Sequence, residues 1–146
     1  MAIGAYINFN GNCRAAVAFY AEAFGVPAGE ITTYGEGPGT EGMDEAAKNL
    51  VMHAEIRAMD STIMFSDVPP GMDFSAGTNV GLVVTSGDEA ALRQLFENLR
   101  AGGMVEMDLQ ETFWSKCYGF LTDKFGIQWQ ISHMATAECA PPAHQK

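Results

Sequence analysis

The chain has 146 residues, 47% of them apolar, and a net charge of −10 with only eight Lys and Arg. This length fits one domain, or two small modules that share a core. The acidic balance argues against nucleic acid and anionic membrane surfaces as partners, because both require a basic footprint. The sequence contains neither a signal-peptide pattern nor a run of the roughly 18 apolar residues that a membrane span needs, so we expect a cytoplasmic protein.

The first half of the chain predicts a strand, a helix and then three strands. A strand is expected over 2–9, and apolar residues at helical spacing predict a helix from Cys13 to Phe24. Asn12 is the expected N-cap of this helix, and Gly25 ends it. The segments "VMHAEIRA" and "STIMFSD" follow as two strands whose two-residue link favours an antiparallel hairpin.

A long Gly-rich segment lies between the helix and this hairpin. The β-branched stretch Glu30–Tyr34 reads as a strand, and the loop from Gly35 to Asn49 follows it with one expected helical turn near Asp44. Loops of this length often act as lids or binding loops, so we expect a movable cover over a ligand.

The same order of elements recurs after Val68–Gly77, a Pro-Pro-Gly-containing stretch that is the natural boundary between the halves. The clearest helix carries an apolar stripe of Leu92, Leu95, Phe96 and Leu99. Ser86 and Glu89 predict a capping box at its start. The strands predicted around this helix are 78–86, 104–113, 118–122 and 127–132.

The last two strands should form an antiparallel hairpin around the turn Asp123–Gly126. Because side chains alternate along a strand, Trp129 and Ile131 should face a helix, and Gln130 should face the opposite side. The predicted fold class is therefore α+β, with two β-α-β-β-β modules in a single domain, 1–134. The modules cover about 1–67 and 77–134, and 135–146 is expected to be a flexible tail.

This duplicated unit resembles the vicinal oxygen chelate superfamily, which includes glyoxalase I and extradiol dioxygenases, and it is most similar to the PhnB-like family. The resemblance spans most of residues 5–132. It rests on "YINFNGNCRAAVAFYAEAFG", "MHAEI", "MFSD" and "LQETFWSKCYGFLTDKFGIQWQI". The resemblance implies an open, mostly antiparallel, barrel-like sheet around a cavity. It also implies a homodimer, because proteins of this superfamily commonly pair through the edges of their modules.

In metal-dependent relatives, four ligands project into that cavity, and the resemblance places the corresponding positions at Ala5, Met64, Asn79 and Gln130. This is a poor ligand set: alanine has no donor atom, a thioether is soft, and amide oxygens are weak neutral donors. We therefore expect neither the usual metal nor a cofactor. His53 and Glu55 could form an alternative set, but two ligands alone do not make a tight site.

His53 is the main candidate for chemistry. Its strand places His53, Glu55 and Arg57 on the face opposite the apolar residues, so the imidazole should point toward the cavity. It could then act as a hydrogen-bond donor or general base for a ligand. A histidine paired with Glu55 or Arg57 on a solvated strand face is the alternative interpretation.

The remaining candidates favour packing over catalysis. Lys116 could favour a thiolate at Cys117, but a small apolar filler fits this position better because no partner histidine is apparent. Cys13 belongs to the apolar stripe of the first helix. Trp114 suits either the mouth of a cavity or a subunit contact.

Relatives are often named demethylubiquinone methyltransferases, an activity that requires a nucleotide-binding feature. The stretch "YGEGPGT" superficially resembles a Gly-rich cofactor loop, but Pro38 and a further polar run follow where a helix should open. We therefore disfavour this activity. The sequence favours a protein that binds a small, partly apolar molecule through His53, Met64, Asn79, Trp114 and Gln130. A lyase, isomerase or dioxygenase-type enzyme that depends on His53 or on a metal is the alternative, and a regulatory dimer with a vestigial cavity is a third.

Overall fold

The computed structural model of the chain describes residues 1–135, so the predicted tail lies outside the described residues except for Ala135. These residues fall into two compact units that divide between Ser75 and Ala76. The division lies inside the stretch Val68–Gly77 that the sequence indicates as the boundary. Among the described residues, no helix is long and apolar enough to cross a membrane.

The elements of the first unit are β1 (Ala5–Phe9), α1 (Cys13–Phe24), β2 (Thr32–Thr33), a single 3-10 turn (Tyr34–Glu36), α2 (Glu45–Asn49), β3 (Val51–Ala58) and β4 (Ser61–Asp67). The strands form a four-stranded sheet in the order β1-β4-β3-β2. Strand β1 runs parallel to β4, and the other pairs are antiparallel.

The elements of the second unit are β5 (Gly81–Ser86), α3 (Glu89–Arg100), β6 (Met104–Gln110), β7 (Tyr118–Thr122) and β8 (Gln128–His133). They repeat the arrangement of the first unit, with a sheet in the order β5-β8-β7-β6 in which β5 runs parallel to β8. The predicted α+β fold with two β-α-β-β-β modules is confirmed.

In each unit the helix covers one face of the sheet, and the strand alternation decides which side chains are buried. In the first unit, Phe65 stacks on Tyr20 of α1 with the ring centroids 5.7 Å apart. In the second, the predicted stripe of α3 is buried, as are Trp129 and Ile131 of β8. Full burial of one large apolar side chain stabilises a fold by roughly 1.5–3 kcal/mol, so these layers hold each unit together.

The closing hairpin forms as predicted, with β7 antiparallel to β8 and Leu121 opposite Trp129. Gly126 adopts a positive φ of 84°, which glycine tolerates without a steric penalty. The Asp123 carboxylate lies inside the turn and accepts hydrogen bonds from the backbone N–H groups of Phe125 and Ile127. Its second oxygen accepts from the buried indole Nε1 of Trp129 at 2.8 Å.

The capping box predicted at α3 is wrong, whereas Asn12 occupies the N-cap position of α1 and Gly25 ends that helix, as predicted. The α3 N-cap is Asp88, whose carboxylate accepts from the Ala91 N–H, and Ser86 instead accepts from the Asp88 N–H. Asn12 makes no side-chain cap at α1. The buried Asp67 carboxylate takes that role, because it accepts from the N–H groups of Gly11 and Cys13, and also from Val51 of β3.

The predicted strand Glu30–Tyr34 is shorter than expected. Pairing with β3 is limited to Thr32 and Thr33, after which the chain turns. The turn is fixed by the Glu36 carboxylate, which accepts from both the N–H and the hydroxyl of Thr33. These hydrogen bonds lower the pKa of Glu36. The expected helical turn near Asp44 is present as α2, with Asp44 as its N-cap.

Candidate functional site

The face of the second sheet opposite α3 carries a pocket of about 270 Å³. Strands β5, β7 and β8 supply most of its lining, and the segment just before β5 supplies the rest. The lining residues are Thr78, Asn79, Gly81, Tyr118, Phe120, Gln128, Trp129 and Gln130. None of them has a charged side chain, so the pocket offers amide and hydroxyl groups beside aromatic carbon.

Two side chains of this pocket are joined by a hydrogen bond. The hydroxyl of Tyr118 donates to Oε1 of Gln130 at 2.8 Å. The β7–β8 register places Phe120 directly opposite Gln130, so all three side chains lie on the same sheet face. The pair holds the amide of Gln130 in one orientation across the strands.

An aromatic cluster adjoins the pocket at Tyr118. The Trp114 ring lies edge-on to Tyr118 with the centroids 5.1 Å apart, and Phe113 packs edge-on against Trp114 at 4.6 Å. Trp114 is 54% exposed and Phe113 is 98% exposed. Through these contacts Trp114 lies beside a wall of the pocket.

The first unit carries a different set of side chains on the face of its sheet opposite α1. The His53 ring lies between two partners: the Tyr6 hydroxyl is 3.5 Å from Nδ1, and the Glu55 carboxylate is 3.8 Å from Nε2. Strand register places Met64 between Tyr6 and Glu55. His53 and Glu55 are both partly exposed, so solvent screens their interaction.

The structure thus brings the predicted site residues together in two pairs. Asn79 and Gln130 line the pocket of the second unit, whereas His53 and Met64 lie on the open face of the first sheet. Their convergence on one pocket stays a prediction. Ala5 pairs with Ile63, and Tyr6 pairs with Met64, so Tyr6 and not Ala5 shares the face of Met64.

Sequence reasoning missed Tyr118 and Phe120 as pocket residues. Both belong to the predicted hairpin, and strand alternation places them on the side of Gln130. The predicted turn Asp123–Gly126 sets the register of the two strands, and this register could have identified both residues. Tyr6 was missed because the family alignment placed the site one residue earlier.

The two cysteines among the described residues are buried and free. Burial, together with the nearby Asp67 carboxylate, raises the pKa of the Cys13 thiol to about 12. Burial also raises the pKa of Cys117. Neither thiol is poised as a thiolate at neutral pH, which supports packing roles for both.

A second and larger pocket, of about 590 Å³, lies in the first unit beside α1 and α2. Small alanine and glycine residues form much of its lining. The Arg14 guanidinium donates to the Asn49 carbonyl at 3.1 Å, and both oxygens of Asp67 already accept backbone hydrogen bonds. This groove therefore presents few polar groups that are not already engaged.

Over residues 1–135, no group of three or more His, Cys, Asp or Glu side chains is arranged to hold a metal ion. His53 and Glu55 together offer two potential donors.

Most of the chain is similar in sequence to known proteins. Residues 2–132 match a family model described as 3-demethylubiquinone-9 3-methyltransferase. Protein YjdN of Escherichia coli strain K12 is 34% identical over 142 residues, covering 90% of this chain and 95% of YjdN.

Solved structures match nearly the whole chain. Protein PA1353 from Pseudomonas aeruginosa has a TM-score of 0.82 at 30% identity, with 93% of this chain and 99% of that one covered. A PhnB protein from Bacillus cereus, described as a putative 3-demethylubiquinone-9 3-methyltransferase, has a TM-score of 0.74 at 24% identity, with coverages of 92% and 100%. A glyoxylase/bleomycin resistance protein/dioxygenase domain from Frankia shares the fold, with a TM-score of 0.60 at 15% identity and coverages of 91% and 96%.

Proposed function

The chain belongs to the PhnB-like family of the vicinal oxygen chelate superfamily, and we propose that it binds a small, partly apolar molecule without the superfamily's usual metal. The observation that carries this proposal is the pocket of the second unit. Its lining combines aromatic carbon with a few convergent polar groups, which is the usual composition of a small-molecule site.

Ligand chemistry supports the metal-free part of the proposal. At the positions where metal-dependent relatives carry ligands, Met64 offers a soft thioether and Asn79 and Gln130 offer neutral amides. The Gln130 carbonyl already accepts the hydroxyl hydrogen of Tyr118. Ala5 has no donor atom. These residues do not fit a divalent metal.

The structure gives no support to methyl transfer from a nucleotide cofactor at the Gly-rich segment. A cofactor loop of that kind should follow a buried strand and open a helix. Here a two-residue edge strand precedes the stretch "YGEGPGT", which forms the 3-10 turn Tyr34–Glu36, and the short helix α2 begins only at Glu45. The hydroxyl of Tyr34 donates to the Asp67 carbonyl at 2.9 Å and ties this segment to the first unit.

A second candidate function is acid–base catalysis at His53, in a lyase or isomerase reaction. The placement of its ring between Tyr6 and Glu55 favours this candidate, since a carboxylate beside one ring nitrogen can orient the imidazole. A catalytic role would require loss of turnover in His53→Gln with ligand binding retained.

We further propose a cytoplasmic homodimer. Each sheet ends on two edge strands, which natural proteins commonly cover. The buried free thiols of Cys13 and Cys117 suit a reducing compartment. Sedimentation should give the mass of two chains at micromolar concentration, and a purely monomeric species would refute the dimer.

The binding proposal is tested by native mass spectrometry of freshly purified protein, with elemental analysis for metals. We expect a co-purified organic ligand and substoichiometric metal. In Gly81→Val the ligand should be lost, because a Cβ at this pocket position meets Gln128 at an ordinary 3.6 Å contact and the added methyls occupy pocket volume. Ser61→Val, at an exposed strand position of the first unit, is the matched control and should keep the ligand. Stoichiometric tightly bound metal, or a ligand retained in Gly81→Val, would contradict the proposal.

A further inference from the structure

The hydrogen bond between Tyr118 and Gln130 determines what this pair can offer a ligand. The hydroxyl group of Tyr118 has one hydrogen, which it donates to Oε1 of Gln130. The lone pairs of the Tyr118 oxygen remain as an acceptor. The two hydrogens on Nε2 of Gln130 remain as donors. The pair therefore presents one acceptor and one donor group side by side on the same sheet face.

A ligand that satisfies both groups needs a donor next to an acceptor. The N–H and C=O of a lactam or cyclic imide have this arrangement: the carbonyl accepts from Nε2 of Gln130, and the N–H donates to Oη of Tyr118. A carboxylate has no hydrogen for Tyr118. An isolated ketone or an aromatic nitrogen satisfies only one of the two groups.

The charge of the surroundings argues for a neutral ligand. The eight lining residues contain no Lys, Arg, His, Asp or Glu, so an ion entering the pocket would lose hydration without gaining a counter-ion. The chain's net charge of −10 further disfavours anions. Uncharged amide and hydroxyl groups can replace the water of a neutral polar ligand at much lower cost.

The aromatic residues argue for a flat ligand. Phe120 contributes a half-buried ring to the lining beside Tyr118. Trp114 and Phe113 extend this wall through edge-on contacts. Aromatic rings pack favourably against other rings in offset or edge-to-face geometry, which contributes about 0.5–1.5 kcal/mol beyond the buried area.

We propose that the pocket of the second unit recognises an uncharged, flat heterocycle through the N–H and C=O edge of a lactam or cyclic imide. This inference rests on the proposed binding function and specifies its ligand class. Tyr118 and Gln130 form hydrogen bonds with the N–H and C=O of this edge, and Phe120 contacts the ring.

The test uses three probes of nearly equal size, measured by isothermal titration calorimetry: 2-quinolinone, N-methyl-2-quinolinone and quinoline. The first has both groups of the edge, the second lacks the N–H, and the third lacks both the N–H and the carbonyl and keeps only a ring nitrogen that can accept a hydrogen bond. We expect 2-quinolinone to bind about tenfold more tightly than either of the others, since each of them leaves one hydrogen-bonding group of the pocket unpaired.

Variants assign this preference to the two residues. Gln130→Glu replaces the donor by an acceptor in the same shape, and it should weaken 2-quinolinone binding at least about tenfold. Tyr118→Phe should remove the discrimination between 2-quinolinone and its N-methyl derivative. Gln94→Glu, the same chemical change on the exposed face of α3, should leave all three affinities unchanged. Circular dichroism melts of each variant confirm that the fold is retained.

The outcomes separate this inference from the proposed function. Equal affinities for the three probes in the wild type, all lost in Gly81→Val, would overturn lactam recognition while leaving a ring-binding pocket. Failure of all three probes to bind would also overturn the lactam class, and the co-purified ligand would then decide the proposed function independently. Unchanged 2-quinolinone binding in Gln130→Glu would remove Gln130 from the site.

Discussion

The two units share one framework and differ in the chemistry of their open sheet faces. In the first, the cross-strand row is Tyr6, Met64 and Glu55. At the same positions of strand order and pairing, the second unit has Val83, Gln130 and Phe120. Two residues before Glu55 and Phe120 on their strands, His53 of the first unit corresponds to Tyr118 of the second.

The two units therefore have the same cross-strand positions on their open faces, but the chemical types of the side chains at these positions differ. The first face has an imidazole between a phenol and a carboxylate, which are all ionisable groups. The second has a phenol bonded to a neutral amide beside an aromatic ring. We attribute ligand binding to the second face because an uncharged pocket is formed there.

The largest expected loss of stability follows the removal of a buried carboxylate in either unit. Asp67 accepts three backbone N–H bonds, and Asp123 accepts two backbone bonds and one from an indole. Replacing either by alanine leaves three donors without their acceptor, so we expect losses of roughly 3 kcal/mol or more in the free energy of unfolding. Urea denaturation measures this.

Asp73→Ala, in the exposed segment that follows β4, is the control and should change stability by less than about 0.5 kcal/mol. A loss below about 1 kcal/mol in Asp67→Ala would show that water or local rearrangement replaces the carboxylate. A large loss for only one of the two aspartates would break the parallel between the units.

The two buried aspartates also show what sequence can and cannot predict. The hairpin β3–β4, the strand β7 and the helix α1 have the predicted bounds, because their periodicity and turns are local signals. The side chain that caps α1 could not be predicted, because the acceptor is Asp67, which lies 54 residues after Cys13 in the sequence. The pairing of Tyr118 with Gln130 likewise depends on hairpin register.

The second expected effect is a loss of folding stability at high pH that depends on the buried thiol of Cys13. The pKa of Cys13 rises from 9.0 to about 12 in the native protein. Between these values the unfolded chain ionises and the native thiol does not, so stability is intact below pH 9 and falls as pH rises toward 12. The expected slope is about 1.4 kcal/mol per pH unit.

Chemical denaturation at pH 8 and pH 10 measures this loss. Cys13→Ala should lose less stability than the wild type between these pH values. Cys117→Ala provides the comparison from the second unit, where the thiol pKa is raised by burial as well. Identical pH dependence in the wild type and Cys13→Ala would show that Cys13 ionises normally in the folded state.

A smaller effect concerns the ion pair on the first face. His53 and Glu55 are both more than 40% exposed in their side chains. Glu55→Gln should therefore change the unfolding free energy by at most about 0.5 kcal/mol, as for other exposed pairs. Thermal denaturation of this variant beside Glu97→Gln, an exposed glutamate of α3 paired with Arg100, provides the measurement and its control. A loss several times larger would show that this face is structurally required.

The smallest expected effect is that of added metal. Zn²⁺, Ni²⁺ or Mn²⁺ should barely raise the melting temperature, because His53 and Glu55 supply only two donors. A micromolar site at roughly 100-fold excess metal would add about 2.7 kcal/mol, an easily measured shift. Such a shift, lost in His53→Ala, would make the first face a metal site and favour the enzyme hypothesis.

The most direct test of the central claim is nuclear magnetic resonance of the side-chain amides during titration with 2-quinolinone in the presence of EDTA. We expect the NH₂ resonances of Asn79, Gln128 and Gln130 to shift saturably and those of Gln94, on the exposed face of α3, to stay in place. Saturable binding in which none of the three pocket amides shifts would contradict the assignment of the ligand site to the second unit.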